Sequence, residues 1–259
     1  VYQIKAKLPS FQRNTYYFLY NDEVLQTAKK RGGKIIIGQG DKVHWKKDKS
    51  NNHVLRALKE KISVFASNQT RNVASIVGNI VIASPSTDFT NFLPAVGAKL
   101  TIFDISSMKE KEISLDDFFL DRYKTILKDT DIIKEISFNL ESLVPTIDNT
   151  TDHIFVYKIA NRREIAGCIL SATIRADISK NDNIIKGMKI AFSKLSNTNP
   201  IGRAKKAEQF LIGKEFTIDN IKKSFNLIDE DFPIVSDFDD GLDDYRRVLG
   251  HNLLIKFYH

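Results

Sequence analysis

The stretch 72–88, NVASIVGNIVIASPSTD, constrains this chain more than any other. No lysine, arginine or glutamate falls between Val73 and Asp88, in a protein that is 27% charged. A run so free of charge is buried or lies against something flat. Strand propensity in Ile80, Val81 and Ile82 is broken at both ends by small residues that let backbone come close to a partner. The residues alone read as an interior strand with its turns.

The chain has 259 residues, 42% of them hydrophobic, enough for one large core or two modest ones. No apolar run approaches bilayer-spanning length, so no membrane association is expected. The opening VYQIKAKLPSFQRN lacks a signal peptide's apolar core. A single cysteine, Cys168, excludes an internal disulfide framework and an iron–sulfur site made by this chain alone. The cytosol is the expected compartment. Net charge is +7, but residues 229–244 carry eight acids and no lysine or arginine, so setting them aside leaves +15. The bases are scattered over lysine-rich helices without an interleaved aromatic platform. A solvated surface is expected, and no nucleic-acid partner.

Taken in order, residues 16–20 read as a strand and Asn21 caps a helix that Gly32 stops. Residues 34–38, KIIIG, form a short buried strand running into Gln39, Gly40 and Asp41, where a Gly-x-Gly turn offers backbone N–H groups to a phosphate. A helix over 54–66 follows, with Leu55, Leu58, Ile62 and Phe65 on one face. Residues 114–117 have capping-box spacing, and Ile136, Phe138 and Leu140 alternate as a half-buried strand. Residues 145–152, PTIDNTTD, read as a linker. Beyond it, strands over 155–158, 167–177 and 184–192 precede helices over 203–211, 219–228 and 243–257. The last helix aligns Tyr245, Val248, Leu249, Leu253 and Phe257 as a stripe. Three strands then three helices argue an α+β layer with helices on one sheet face. The five histidines have no metal-ligand spacing, and no catalytic triad or phosphate-loop motif is present.

The order NVASIVGNI, ASPSTD, FLPAVGAKL resembles the family pattern SVASLGGNI-TASP-SDL-P-A-GA-L, that of the flavin-binding module of xanthine dehydrogenases and aldehyde oxidases, the molybdenum hydroxylases. KIIIGQGD is similar to the start of that family's KLVVGNTEIG, YKIANRRE to its FKQASRRE, and YKTIL to its YRKTLL. PIGRAKKAEQFLIGK and DYRRVLGHNLLIKFY resemble its C-terminal domain, so the likeness covers nearly the whole chain. The fold it implies is α+β: a two-subdomain FAD-binding module of the PCMH type over 1–148, then a sheet-plus-helices flavoprotein domain over 149–259. Beyond Lys49 an α/β segment of the family pattern is missing, leaving a shortened first subdomain, 1–66.

The resemblance implies FAD, held at its pyrophosphate by Gly38, Gln39, Gly40 and Asp41. Phe65, Ala66, Ser75, Gly78, Asn79, Ser84 and Asp88 would line the cofactor, with Ile132 and Ile133 beside its rings. Lys158 would stand close to the flavin, where a cation stabilises the anionic reduced form. Without the resemblance, Lys158 is a strand lysine facing water, the two isoleucines are ordinary core, and Arg162, Arg163 and Glu164 form an interdomain ion-pair cluster. The implied function is electron transfer from a molybdenum centre through iron–sulfur clusters to FAD, and on to NAD or oxygen. Clusters and molybdopterin belong to other segments or chains, and a homodimer of the full enzyme is left open.

Several residues depart from the pattern. Val77 replaces a glycine that would take a positive φ or touch FAD, Ile82 replaces a hydroxyl residue, Ile165 follows Glu164 where two acids are absent, and Ser193-Lys194 replaces a glycine pair. Together they imply a weakened FAD site. The alternative is a degenerate structural or interaction protein that keeps the fold without flavin. A third reading, a nucleic-acid-associated protein, rests on charge alone.

Overall fold

The computed structural model describes residues 34–38, 52–71, 74–139, 143, 149–163, 165–235, 238 and 240–259. The strand expected at 16–20, the helix after Asn21, and Gln39, Gly40, Asp41, Leu140 and Glu164 lie outside the described residues.

The first half is built on a four-stranded antiparallel sheet in the order β1-β6-β2-β3. Its strands are β1 (Lys34–Gly38), β2 (Lys99–Asp104), β3 (Lys109–Ser114) and β6 (Asp131–Asn139). A ribbon of β4 (Phe119–Asp121) and β5 (Lys124–Thr125) stands beside it. Ile136 and Phe138 point into the core as their alternation requires. Before β2 come the helices α1 (His53–Ser63), α2 (Asn68–Arg71), α3 (Ile76–Val81) and α4 (Phe89–Ala95). Asn52 caps α1 by accepting from the Leu55 amide. Gly97 ends α4 at φ +68, and a Cβ there would also meet Lys189 Nζ at 2.9 Å.

The central uncharged stretch is a helix, not the expected strand. Ser75 accepts from the Gly78 amide at 2.8 Å and caps α3, and Ile76 and Ile80 bury themselves in the core. One cap and one apolar stripe outweigh the β-branched run. Likewise, residues 114–117 form a single 3-10 turn over Leu115–Asp117, with Ser114 accepting from the Asp116 amide.

The second half is a four-stranded antiparallel sheet, β10-β9-β8-β7. β7 spans Thr150–Ile159, β8 Leu170–Ser179, β9 Ile185–Ser193 and β10 Ile201–Arg203. Helices α5 (Lys205–Leu211), α6 (Ile218–Lys223), α7 (Phe225–Asp231) and α8 (Asp243–Tyr258) follow. The helix expected over 219–228 is thus two short ones meeting at Ser224. Leu170, Ala172, Ile174 and Ala176 of β8 pack with residues of these helices in a second core.

The other face of β8 carries Ser171, Thr173, Arg175, Asp177 and Ser179. Such alternation ordinarily marks a face in water, yet all five are buried. α1 and α4 of the first half cover this sheet face, making it an α/β/α sandwich. Ile154 and Val156 of β7 correspondingly pack against the first core.

The stripe expected on α8 is rotated. Tyr245 and Val248 are 48% and 54% exposed, and the buried residues are Asp243, Arg246, Gly250, Leu253, Leu254 and Phe257. Arg246 turns the helix inward because it donates to the Ile169 carbonyl at 3.0 Å and pairs with Asp240 and Asp243. Other acids of the run also find partners within the chain: Asp229 meets His251, Glu230 meets Lys206 and Asp244 meets Arg247. Among the described residues, no helix is long and apolar enough to cross a membrane.

Gly250 marks the closest approach of α8 to the sheet, because a Cβ there would stand 2.9 Å from Leu195 Cδ1. Gly250→Val should destabilise the chain by about 1–3 kcal/mol through overpacking. Urea denaturation monitored by circular dichroism measures it; an unchanged midpoint would show that α8 is free to shift.

Candidate functional site

The expected site residues fall in two groups. At one end of the first sheet, Gly38 pairs with Glu135, and Ile133 and Ile132 continue β6 from there, paired with Ile102 and Phe103 of β2. Ile133 belongs to the first core, while Ile132 is half-buried.

The second group meets at the junction of the halves. Phe65 follows α1 and sets its ring edge-on to Phe89, 5.7 Å between centroids. Ala66 sits at φ +46, and its carbonyl accepts from Arg71 at 3.0 Å. Asn79 Oδ1 accepts from the Phe89 amide at 3.1 Å and so ties α3 to the start of α4. Asp88, just before α4, pairs with Lys158 of β7: Nζ lies 2.9 Å from Oδ1, with 4% and 7% of the two side chains exposed. Lys158 also donates to the Val64 carbonyl at 3.0 Å. It is therefore not a strand lysine facing water. Ser84 accepts at its carbonyl from Thr87 Oγ1 at 2.7 Å, and its hydrogen bond to Tyr123 holds that phenol below its ordinary pKa.

One face of α3 is open. Gly78 is exposed on it, and a Cβ at that position would crowd Ser75 Oγ at 2.9 Å. Ile82, one turn on, is 54% exposed. Val77 faces the other way, half-buried against the first core and without positive φ. The strain expected of Val77 is absent because a helical valine needs no unusual backbone angle. Lys194, by contrast, does occupy the left-handed region at φ +66, where glycine is the natural residue. Arg162 donates to the Ile165 carbonyl at 3.0 Å and is exposed, so it closes a local turn rather than bridging the halves. Arg203 makes that bridge instead, pairing with Asp116 and Glu208.

A buried hydrogen-bond network behind Lys158 was not anticipated. Lys61 of α1 has no exposed surface, and its Nζ donates to Ser171 Oγ at 2.7 Å and Asn91 Oδ1 at 3.2 Å. Thr173 also donates to Asn91 Oδ1, at 2.7 Å, and Asn91 Nδ2 donates to Ser193 Oγ at 3.0 Å. Ser171 passes its own proton to the Tyr157 carbonyl at 2.9 Å, and Thr90 passes its proton to the Thr87 carbonyl at 3.1 Å. Ser193 then donates to Thr90 Oγ1, 2.8 Å away, so every hydroxyl proton has a destination. Burial pulls the Lys61 pKa down to about 8, against the attraction of Asp88. Burial also raises the Cys168 thiol, whose Sγ lies 3.5 Å from the Pro85 carbonyl. Lys61 stands three residues after Leu58, on the apolar face of α1, but the partners that let it be buried are 30 and 110 residues away.

Two family models match: an FAD binding domain in molybdopterin dehydrogenase over residues 12–138, and a CO dehydrogenase flavoprotein C-terminal domain over residues 155–259. The chain belongs to the FAD-binding modules of the molybdenum hydroxylases. A xanthine dehydrogenase of Oryza sativa subsp. japonica is 31% identical, over 78% of this chain and 14% of that protein. One from Blastobotrys adeninivorans is 28% identical, over 99% of this chain and 19% of its own length. This flavin module thus spans less than a fifth of either relative. Its fold matches the carbon monoxide dehydrogenase of Hydrogenophaga pseudoflava at a TM-score of 0.69, with 19% identity, 87% of this chain and 74% of that one covered. Quinoline 2-oxidoreductase from Pseudomonas putida 86 matches at 0.64, with 18% identity and the same coverage.

The module's residues fit a flavin. An open helix face with a glycine and an exposed Ile82 suits a flat ring, and Lys158 supplies a desolvated cation that donates to the Val64 carbonyl and stands in ion-pair contact with Asp88. No acid–base pair is required of the protein, since flavin chemistry resides in the cofactor.

The two buried lysines should respond oppositely to removal. Lys158→Met strands the Asp88 carboxylate and should cost about 3–5 kcal/mol. Lys61→Met leaves Asn91 with Thr173 and Ser171 with Tyr157. Because the folded pKa of Lys61 is depressed, the unfolded chain binds more protons between pH 8 and 10.5. Stability from this group is therefore lacking at neutral pH and recovered as pH rises through that window. Lys61→Met should stabilise by roughly 3 kcal/mol at pH 7 and by little at pH 10. Denaturation at the two pH values checks both signs.

Proposed function

We propose that this chain is the electron-transfer module of a larger molybdenum hydroxylase, with units over 1–148 and 149–259 holding FAD between them. The Lys158–Asp88 pair carries the reading, because it sets a buried cation from one half against a carboxylate of the other, just ahead of the Phe89 amide that Asn79 of α3 holds. Bound FAD would accept electrons delivered from iron–sulfur clusters and pass them to NAD or oxygen. The clusters and molybdopterin belong to other segments or subunits; the single Cys168 supplies no cluster ligand set.

Each residue has a part in this scheme. Gly38 through Asp41 offer backbone amides to the pyrophosphate, and Gly78 lets the ring lie close to the α3 backbone. Ser75 and Asn79 act through the backbone they cap, keeping α3 and α4 in register. Phe65, Ala66 and Ser84 shape the walls, Ile132 and Ile133 bound the far side, and Lys158 presents positive charge where the ring becomes anionic. Ile82 supplies bulk on the exposed face where the family pattern has a hydroxyl, and weakens the site. The second reading, a fold kept without flavin, draws on that substitution and on the shortened front.

Purified protein supplied with free FAD should bind it and show the flavin's visible bands. Ile82→Thr should tighten binding about fivefold, the worth of roughly one hydrogen bond. Val77→Gly should not help, since it removes core packing and helix propensity. Fluorescence titration of FAD measures both. Failure of wild type and Ile82→Thr alike to take up flavin would transfer the argument to the structural reading.

A further inference from the structure

Around Lys61, two buried cations face one buried carboxylate. Lys61 and Lys158 share one carboxylate, Asp88, and all three are removed from water. The groups acting on Lys61 from the surrounding elements are Asp88 ahead of α4, Lys158 on β7 and Cys168 ahead of β8. α4, β8 and β9 present the neutral Asn91, Ser171, Thr173 and Ser193 to this network, and farther along the same face of β8 stand Asp177 and Arg175, the latter paired with Asp152.

Hydrogen-bond geometry explains why Lys61 is poised. Among the described residues, two acceptors lie within reach of its Nζ, Ser171 Oγ and Asn91 Oδ1. A neutral amine has two N–H groups and satisfies both. The ammonium has three, and its third proton is held chiefly by the field of Asp88. The network is intact in either state, so gain or loss of that proton needs no rearrangement.

We propose that Lys61 is a positioning residue of the flavin site, whose third proton follows the charge placed against the Lys158–Asp88 pair. The inference rests on the flavin reading above. Negative charge arriving beside Lys158 draws the proton onto Lys61, from solvent, and no bond other than N–H forms or breaks. Removal of that charge releases it. Lys61 thereby keeps Asp88 partly neutralised and leaves Lys158 directed at the ligand.

The test is the midpoint potential of FAD bound to the chain, measured by anaerobic dye equilibration from pH 6.5 to 9.5. Because the pKa of Lys61 in the flavin-free chain is about 8, reduction of bound flavin should take up an additional proton above that region. The wild-type potential should fall more steeply there. In Lys61→Met the steeper segment should vanish. The ratio of reduced- to oxidised-flavin affinity at pH 7 should drop about tenfold, or about 30 mV for a two-electron couple, while oxidised FAD binds within about twofold. Ser171→Ala, which removes one acceptor, should move the steep segment to lower pH and serves if Lys61→Met does not fold. A flavin-loaded Lys61→Met with wild-type potential and slope would overturn the inference, as would an unmoved segment in Ser171→Ala. No flavin uptake by any variant would instead defeat the functional reading on which it rests.

Discussion

The architecture depends on the polar face of β8. Its alternating sequence, LSATIRADIS, gives the central strand one apolar side for the C-terminal helices. The other side meets α1 and α4 through hydrogen bonds with assigned donors and acceptors. Apolar contacts tolerate sliding, whereas a directed chain from Lys61 through Asn91 and Ser193 to Thr90 and Thr87 admits one register. The Lys158–Asp88 pair inherits that register, since its two members come from opposite sides of the same junction. Arg203 and Asp116 add a second bridge farther along.

Charge follows the same economy. The acidic run near the C-terminus looks in sequence like a solvated patch. In the fold Arg246 gathers Asp240 and Asp243 while it caps the Ile169 carbonyl. Phe238 lies beneath that guanidinium, 4.8 Å from centroid to carbon, with Lys194 and Arg122 nearby. The run is thus an internal counter-charge for the basic helices, and its net effect at a distance is small.

Much of the fold was legible. β1, β6, β8 and β9 announce themselves by alternation or by short apolar runs, and α1 by its spacing. α3 was misread because Ile80-Val81-Ile82 favours a strand locally, while the Ser75 cap and the Ile76–Ile80 spacing decide for a helix. The α8 stripe was misplaced because sequence treats arginine as outward-facing, and Arg246 is buried by its partners. Lys158 could be singled out through the family resemblance, and the structure adds its burial against Asp88. Lys61 could not, because a buried lysine becomes affordable only when a distant strand supplies Ser171 and a neighbouring helix supplies Asn91.

Ser193 shows what this design permits. It stands where the family pattern places a glycine, and its hydroxyl accepts from the Asn91 amide while bonding to the Thr90 hydroxyl. Within this network each hydroxyl finds its partner in the chain itself. Such a network would hold the two halves in one orientation with or without a ligand. A larger assembly that uses this module as a rigid spacer would keep its geometry through every cycle of cofactor loss and replacement. Selection for assembly alone would preserve the architecture.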